Sequence, residues 1–222
     1  MASPATLSER VLVTEGRYFA AKRALDVVLA ITLLVALSPV MLVVAALVAL
    51  DSPGPVLFRQ RRVGQSGAPF HMLKFRSMYH NSDSAVHVKA VQRFMQGERL
   101  SESEATNAPY KLTDDNRITL IGKFIRKTSI DELPQLWNVL TGEMSLVGPR
   151  PPVPYEVELY TSREMMRLEC KPGLTGPWQV YGRNTVTFRE MIDMDIRYLD
   201  NRSIWYDLKL IVLTVPAALR GG

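Results

Sequence analysis

The sequence of 222 residues has a single cysteine and three histidines. One cysteine excludes an intramolecular disulfide framework, and no Cys/His cluster has zinc-ligand spacing, so a reduced, cytosol-facing environment fits. Cys170 is therefore interpreted as a packing residue. The first twenty residues also lack the apolar run of a signal peptide, because Glu9, Arg10 and Glu15 interrupt it. Residues 1–16 are predicted to form a flexible leader.

The chain has no low-complexity tract and no internal repeat, and its charge is biased towards one sign. It is 47% hydrophobic, which is enough for a buried core, and it has a formal net charge of +5. A basic chain favours nucleic acid, anionic lipid or phosphorylated small molecules as partners. Nucleic acid is the poorest of these, because the aromatic residues are not interleaved with Lys and Arg in a stacking motif.

Residues 27–50 contain no ionised side chain. Such a run is long enough to cross a bilayer as a helix, and core helices of soluble domains seldom lack polar residues for so long. Ser38 and Pro39 lie near its middle, and a proline removes one helical hydrogen bond and clashes with the preceding turn. We therefore predict a kink or reversal there, with the Ser38 hydroxyl bonded to a carbonyl that Pro39 frees.

Basic residues flank this apolar run on both sides. They are Arg17, Lys22 and Arg23 before it, and Arg59, Arg61 and Arg62 after it. Under the positive-inside rule both ends prefer the cytoplasm. The flanks and the kink together favour a re-entrant helix hairpin over residues 17–52, which enters and leaves by the same face; a straight span is the alternative.

The composition changes at residues 51–55, and residues 53–222 are predicted to form a cytosolic domain of the α+β class. Two strand-like stretches joined by residues 64–67 predict a β-hairpin, with Lys74 and Arg76 on or just after its second strand. Residues 81–116 form a polar excursion with a short helix near 86–95, while 157–169 and 188–200 show helical spacing. The apolar segment at 204–220, interrupted by Pro216, predicts a helix at the membrane interface or packed on the core.

Asp131 and Glu132 are the strongest catalytic candidates. Ser129 and Glu132 fit a capping box, and Asp131 as the N-cap is equally consistent with the sequence. Either register places two carboxylates at the positive end of a helix, where a phosphate meets free N–H groups. Asp131 could then attack phosphorus while Glu132 holds Mg²⁺. The simpler interpretation of an isolated Asp-Glu pair is helix capping alone.

Several basic residues could meet a phosphate near this pair. Arg126 precedes it, Lys74 ends a predicted strand, and Arg150 lies among the prolines of residues 148–152. A guanidinium held by prolines can grip a phosphate in a fixed geometry. Each cation by itself also fits a solvated surface role.

Four motifs in a fixed order resemble the monotopic phosphoglycosyl transferases, a family of bacterial sugar transferases. They are KRALDVVLAITLLVALSPVMLVVAAL, KFRSM, DDNRITLIGKFIRKTSIDELPQLWNVLTGEMSLVGPRP and KPGLTGPWQVYGRN. The resemblance extends from residue 17 to residue 219. The longer members carry extra membrane helices and a further domain before this region, so the chain is interpreted as a minimal catalytic form.

The resemblance implies a two-step exchange at the bacterial inner membrane, with the catalytic domain on the cytoplasmic face. Asp131 attacks the sugar-bearing phosphate of a UDP-sugar and releases UMP, and undecaprenyl phosphate then takes the phosphosugar, the first membrane step of polysaccharide or glycoconjugate assembly. Glu132 is the implied Mg²⁺ ligand. The implied phosphate or nucleotide contacts are Lys74, Arg126, Arg150 and Arg183, with Asp195 as a secondary candidate.

Two rival functions remain open at this point. One is a glycosyltransferase that moves the sugar without its phosphate, and the other is a non-catalytic membrane-bound module of a polysaccharide assembly complex. The sequence does not reveal which sugar is carried, which glycan is primed, whether the chain forms a homodimer or what residues 81–116 do.

Overall fold

The computed structural model describes residues 7–80, 85–96, 115–182 and 186–219. It begins with helix α1, Leu7–Asp51, which contains Pro39. The helix therefore starts inside the predicted leader, of which residues 1–6 lie outside the described part. The Ser38 hydroxyl donates to the carbonyl of Val35 at 2.8 Å, the carbonyl that would otherwise accept from an N–H at position 39. The predicted hydrogen bond is thus present, and α1 continues through Pro39.

Helix α1 packs on the rest of the chain on both sides of Pro39. Before the proline, Ala30 is fully buried in the main core, and after it Val48 packs with Phe75 and Ile125. Between these contacts the helix is largely exposed, with Val35 at 70%. Within α1, residues 16–51 are long and apolar enough to cross a membrane.

The predicted β-hairpin is confirmed. Strands β1, Leu57–Val63, and β2, Pro69–Phe75, are antiparallel, with Arg62 opposite Phe70. Lys74 lies on β2 as predicted. Arg76 follows the strand directly. Its buried guanidinium donates to the carbonyls of Val48, Ser52 and Pro55. Arg76 therefore caps the carboxyl-terminal end of α1.

The remaining elements form a mostly helical domain with a second small sheet. They are α2 Ala85–Met95, α3 Leu120–Lys127, α4 Gln135–Thr141, β3 Ser145–Val147, α5 Pro154–Val157, α6 Ser162–Met165, β4 Gly173–Thr175, α7 Phe188–Asn201 and α8 Ile204–Leu219. Strands β3 and β4 pair in parallel and were not predicted. Helices α2 and α7 confirm their predictions, and the two sheets among helices fit the α+β class.

One helix prediction was wrong and another is confirmed. Residues 157–169 form short helices and a 3-10 turn, Met166–Glu169, instead of one helix. The helix predicted at 204–220 is α8, which continues through Pro216. Helix α8 packs on the core through the fully buried Leu210, while Trp205 and Val212 on its other side are exposed.

A buried polar network ties α1 to α8. The carboxylate of Asp207, which is fully buried, accepts from Lys22 Nζ at 2.8 Å and from Tyr198 Oη at 2.7 Å. The next residue of α1, Arg23, donates to the carbonyls of Val139 and Leu140 at the end of α4. Helix α1 thus supplies hydrogen bonds to two other helices of the chain.

Asp207→Asn should lower the free energy of unfolding by about 3 kcal/mol, because it leaves the Lys22 ammonium without its counter-ion in a buried position. Denaturant unfolding in detergent measures this loss. Asp200→Asn on the exposed face of α7 is the control and should leave stability unchanged. Equal stability of the two variants would contradict an important role for the Lys22–Asp207 pair.

Candidate active site

Asp131 and Glu132 lie in a 3-10 turn, Ile130–Glu132, between α3 and α4. Ser129 reverses the chain after α3 with a left-handed φ of 58°, and its side chain makes no capping hydrogen bond. Helix α4 follows with Pro134 at its N-cap and no side-chain cap. The predicted capping box was therefore wrong, and Asp131 is not the N-cap of α4. The turn leads directly into α4, so both carboxylates still stand at its amino-terminal end.

Lys74 reaches the pair from the β-hairpin. Its Nζ lies 2.6 Å from Glu132 Oε1, with the Lys74 side chain 20% and the Glu132 side chain 40% exposed. Asp131 is more buried, at 8%. The structure thus brings three of the predicted site residues together: a shielded carboxylate, an accessible one and an ammonium.

Arg150 lies in the turn after β3, and Arg62 lies beside it. The pKa of Arg150 is lowered to about 10, mainly by burial and also by the nearby positive charges of Arg62 and Arg167, whereas the carboxylate of Glu156 opposes the shift. Burial also lowers the pKa of Arg62, whose charge interacts favourably with Glu156 and Glu132. Both guanidiniums remain charged at neutral pH. The charge of Arg62 therefore interacts both with the Arg150 turn and with Glu132 of the candidate pair.

The structure does not place the other predicted phosphate or nucleotide contacts, Arg126, Arg183 and Asp195, together with this group. Arg126 lies in the last turn of α3, five residues before Asp131. Arg183 falls outside the described residues. Asp195 is fully buried on α7, and its Oδ2 accepts from Arg167 Nη2 at 2.6 Å. Its carboxylate therefore holds another side chain, and direct contact with a substrate stays a prediction.

A model of the bacterial sugar transferase family matches residues 17–221 of this chain. The chain belongs to this family of enzymes. The resemblance found in the four sequence motifs is thereby confirmed.

Known relatives of this sugar transferase cover most of its length. The galactosyl transferase CpsE of Streptococcus agalactiae is 46% identical over 202 residues, 90% of this chain and 42% of that protein. The exopolysaccharide production protein ExoY of Sinorhizobium fredii is 43% identical over 196 residues, 88% and 84% of the two chains. The UDP-glucose:undecaprenyl-phosphate glucose-1-phosphate transferase of Caulobacter vibrioides is 41% identical over 206 residues, 89% and 69%. The chain thus spans less than half of the streptococcal relative and most of the other two.

An open groove of about 420 Å³ lies on the sugar transferase away from Asp131 and Glu132. Its lining residues are Arg59, His71, Leu73, Trp137, Asn138, Thr141 and Glu143. Successive side chains of a strand point to opposite faces, so Leu73 and Lys74 face opposite sides of β2. Within the described residues, the groove and the Lys74–Glu132 pair therefore lie on different sides of the hairpin.

Three residues near the site of the sugar transferase were not predicted: Arg62, Glu156 and Arg167. Arg62 could have been found, because the alternation of the hairpin places it opposite the buried Phe70. No sequence pattern indicated Glu156 or Arg167, because Glu156 interacts with Arg62 and Arg167 pairs with Asp195, and both partners are distant in sequence.

The donor set suits a magnesium ion that arrives with a phosphate. No group of three His, Cys, Asp or Glu side chains that could hold a metal is found among the described residues. Mg²⁺ is usually bound by one or two carboxylates together with substrate phosphates and water. The accessible carboxylate of Glu132 fits this mode, with the remaining oxygens coming from substrate and water.

Cys170 of the sugar transferase is expected to resist alkylation while the chain is folded. Its side chain is buried, and burial raises the pKa of its thiol to about 12, so little thiolate exists at neutral pH. Mass spectrometry after iodoacetamide treatment measures this directly. Denatured protein is the control and should react fully. Rapid labelling of the native chain with loss of activity would instead make Cys170 a candidate nucleophile.

Proposed function

We propose that this chain transfers a sugar 1-phosphate from a UDP-sugar to undecaprenyl phosphate and releases UMP. The observation that carries the proposal is the shielded carboxylate of Asp131 beside the Lys74–Glu132 pair, with Arg62 and Arg150 nearby. The name of the Caulobacter relative gives UDP-glucose as its donor, undecaprenyl phosphate as its acceptor and glucose 1-phosphate as the group it transfers. The reaction would be the first membrane step of polysaccharide or glycoconjugate assembly.

The first step forms a covalent bond to Asp131. A carboxylate oxygen of Asp131 attacks the phosphorus that carries the sugar, and the bond from that phosphorus to the bridging oxygen breaks, so UMP leaves with the electron pair. An anionic nucleophile approaches an anionic phosphate only where cations offset the repulsion. The ammonium of Lys74 and the guanidinium of Arg150 supply positive charge for this purpose.

The second step returns the enzyme to its starting state. An oxygen of undecaprenyl phosphate attacks the same phosphorus, and the bond to Asp131 breaks, which restores the carboxylate. Glu132 is the residue that would hold Mg²⁺, and when bound the ion would neutralise charge on the diphosphate. In the present structure the contact from Lys74 Nζ orients the Glu132 carboxylate.

The contacts of α1 support a re-entrant position in the membrane. Asp26 Oδ1 accepts from the backbone N–H of Leu146 at 2.9 Å, and Val48 packs on Phe75. These positions are separated by roughly 33 Å along a straight helix, which is about the thickness of the hydrocarbon core. A spanning helix brings only one end of its apolar segment to a domain on one side, whereas both ends of the apolar segment of α1 contact this domain. We infer that the exposed middle around Ser38 and Pro39 enters the inner membrane from the cytoplasmic face.

Cysteine labelling tests this topology. In a Cys170→Ser background, Ser8→Cys and Arg61→Cys are each treated with a membrane-impermeant maleimide in spheroplasts. A re-entrant helix predicts no labelling of either cysteine until the membrane is permeabilised. Labelling of Ser8→Cys alone in intact spheroplasts would indicate a straight span, and labelling of both would place the domain on the periplasmic side.

The nucleotide product tests the reaction. Purified protein is incubated with Mg²⁺, undecaprenyl phosphate and a panel of UDP-sugars, beginning with UDP-glucose and UDP-galactose. Release of UMP is expected with one member of the panel. Release of UDP would indicate transfer of the sugar without its phosphate. Release of neither nucleotide across the whole panel would favour the non-catalytic module.

A further inference from the structure

Four consecutive backbone carbonyls in the turn that contains Arg150 accept hydrogen bonds from other parts of the chain. The donors are Gly173 N to Pro149 O at 2.8 Å, Arg167 Nη2 to Arg150 O at 3.2 Å, Arg62 Nη1 to Pro151 O at 2.7 Å and Val63 N to Pro152 O at 2.9 Å. Two of the donors are buried guanidiniums. These four hydrogen bonds and the prolines of residues 149–152 together fix the backbone of the turn in one conformation.

The two guanidiniums are themselves held in place. Arg62 also donates from Nε and Nη2 to Gln60 Oε1, at 3.1 and 2.7 Å. Arg167 is paired with Asp195 at 2.6 Å and donates from Nη1 to Tyr160 Oη at 2.9 Å, and the pair has almost no contact with solvent. Buried ion pairs contribute little net stability compared with apolar packing, whereas they can specify one geometry. This arrangement therefore suits a positioning role better than a purely stabilising one.

We propose that Arg62 and Arg167 are positioning residues for phosphosugar transfer, which hold the Arg150 turn so that its guanidinium meets the substrate phosphate, and that Asp195 in turn holds Arg167. The inference rests on the proposed function, since it takes Arg150 to contact phosphate. A guanidinium recognises phosphate through two directed hydrogen bonds, and such bonds weaken steeply when the donor is displaced. The planar fork of arginine is needed at positions 62 and 167, because each side chain bonds two or more partners at once.

The test compares conservative variants in steady-state UMP release per folded enzyme. Arg62→Lys and Arg167→Lys keep the charge but lose the fork, and each should lower kcat/KM for the UDP-sugar by about 30-fold, mainly through kcat. The matched control is Arg163→Lys, because Arg163 on α6 pairs with Asp193 on α7 at 2.6 Å but is 57% exposed. The control should change kcat/KM by less than about 2-fold.

A double-mutant cycle separates positioning from general stability. If Arg62 acts through Arg150, then Arg62→Lys should have no further effect on kcat/KM in an Arg150→Ala background. Full additivity of the two losses, or wild-type kinetics in both Lys variants, would overturn the proposal. Gln60→Met provides a milder variant should Arg62→Lys not fold; it loosens Arg62 and should lower kcat about 3-fold or more. Wild-type protein that releases no UMP would count against the proposed function itself.

Discussion

Asp131→Asn is expected to lower the rate of UMP release by about 10³-fold or more, because an amide cannot form the phosphoryl-enzyme bond. The amide matches the carboxylate in shape and fills the same largely buried position, so the chain should remain folded. Initial rates with UDP-sugar, Mg²⁺ and undecaprenyl phosphate measure the first effect. A thermal unfolding midpoint close to that of the wild type establishes the second.

Trapping of the intermediate makes this prediction specific to a nucleophile. Without acceptor, a UDP-sugar labelled in the sugar should leave covalent label on denatured wild-type protein and none on Asp131→Asn. Glu132→Gln is the informative comparison, since it keeps the nucleophile and should still be labelled, more slowly. Covalent label on Asp131→Asn would show that another side chain attacks, and unchanged UMP release would reduce Asp131 to a structural role.

Gly173→Ala should destabilise the chain by about 4 kcal/mol or more. A Cβ on Gly173 would lie 2.1 Å from the backbone nitrogen of Gly148 and 2.4 Å from the carbonyl oxygen of Thr175. Both atoms belong to the backbone, so no side-chain rotation relieves the overlap. The parallel pair β3–β4 would have to separate, and the Gly173 N–H would leave the carbonyl of Pro149. Denaturant unfolding followed by tryptophan fluorescence measures the loss.

The control for this variant is Gly16→Ala on α1. A Cβ there meets no atom within 4 Å, and alanine is favoured over glycine in a helix interior, so the stability should be retained or rise by about 1 kcal/mol at most. Because Gly173 supports the Arg150 turn, any folded Gly173→Ala protein should also release UMP slowly. Wild-type stability of Gly173→Ala would mean that β3 and β4 lie farther apart in solution.

The features that the sequence predicted well depend on local chemistry. The alternation of β1 and β2 placed Lys74 at the end of a strand, from which it reaches Glu132. The bond from Ser38 to Val35 follows from the N–H that any proline lacks. Such features need no knowledge of distant residues, so a single segment is sufficient to predict them.

The features that were not predicted from the sequence depend on contacts between distant segments of the chain. The capping box failed because Glu132 pairs with Lys74, 58 residues away, in preference to the backbone of Ser129. Asp195 pairs with Arg167, 28 residues away, which no local pattern indicates. Strands β3 and β4 have three residues each, too few for a period-two pattern to be recognised.

The burial of Ala30 and the hydrogen bonds from Arg23 to the end of α4 make α1 part of the folded domain. Removing α1 would take Ala30 out of the core cluster that contains Leu136 and Leu210, and would remove the Arg23 donors from the carbonyls of Val139 and Leu140. Cutting away α1 is therefore expected to unfold the rest of the domain instead of releasing it as a soluble enzyme. If α1 enters the bilayer as proposed, the fold of the active site is complete only at the membrane, which is also where an undecaprenyl acceptor would be found.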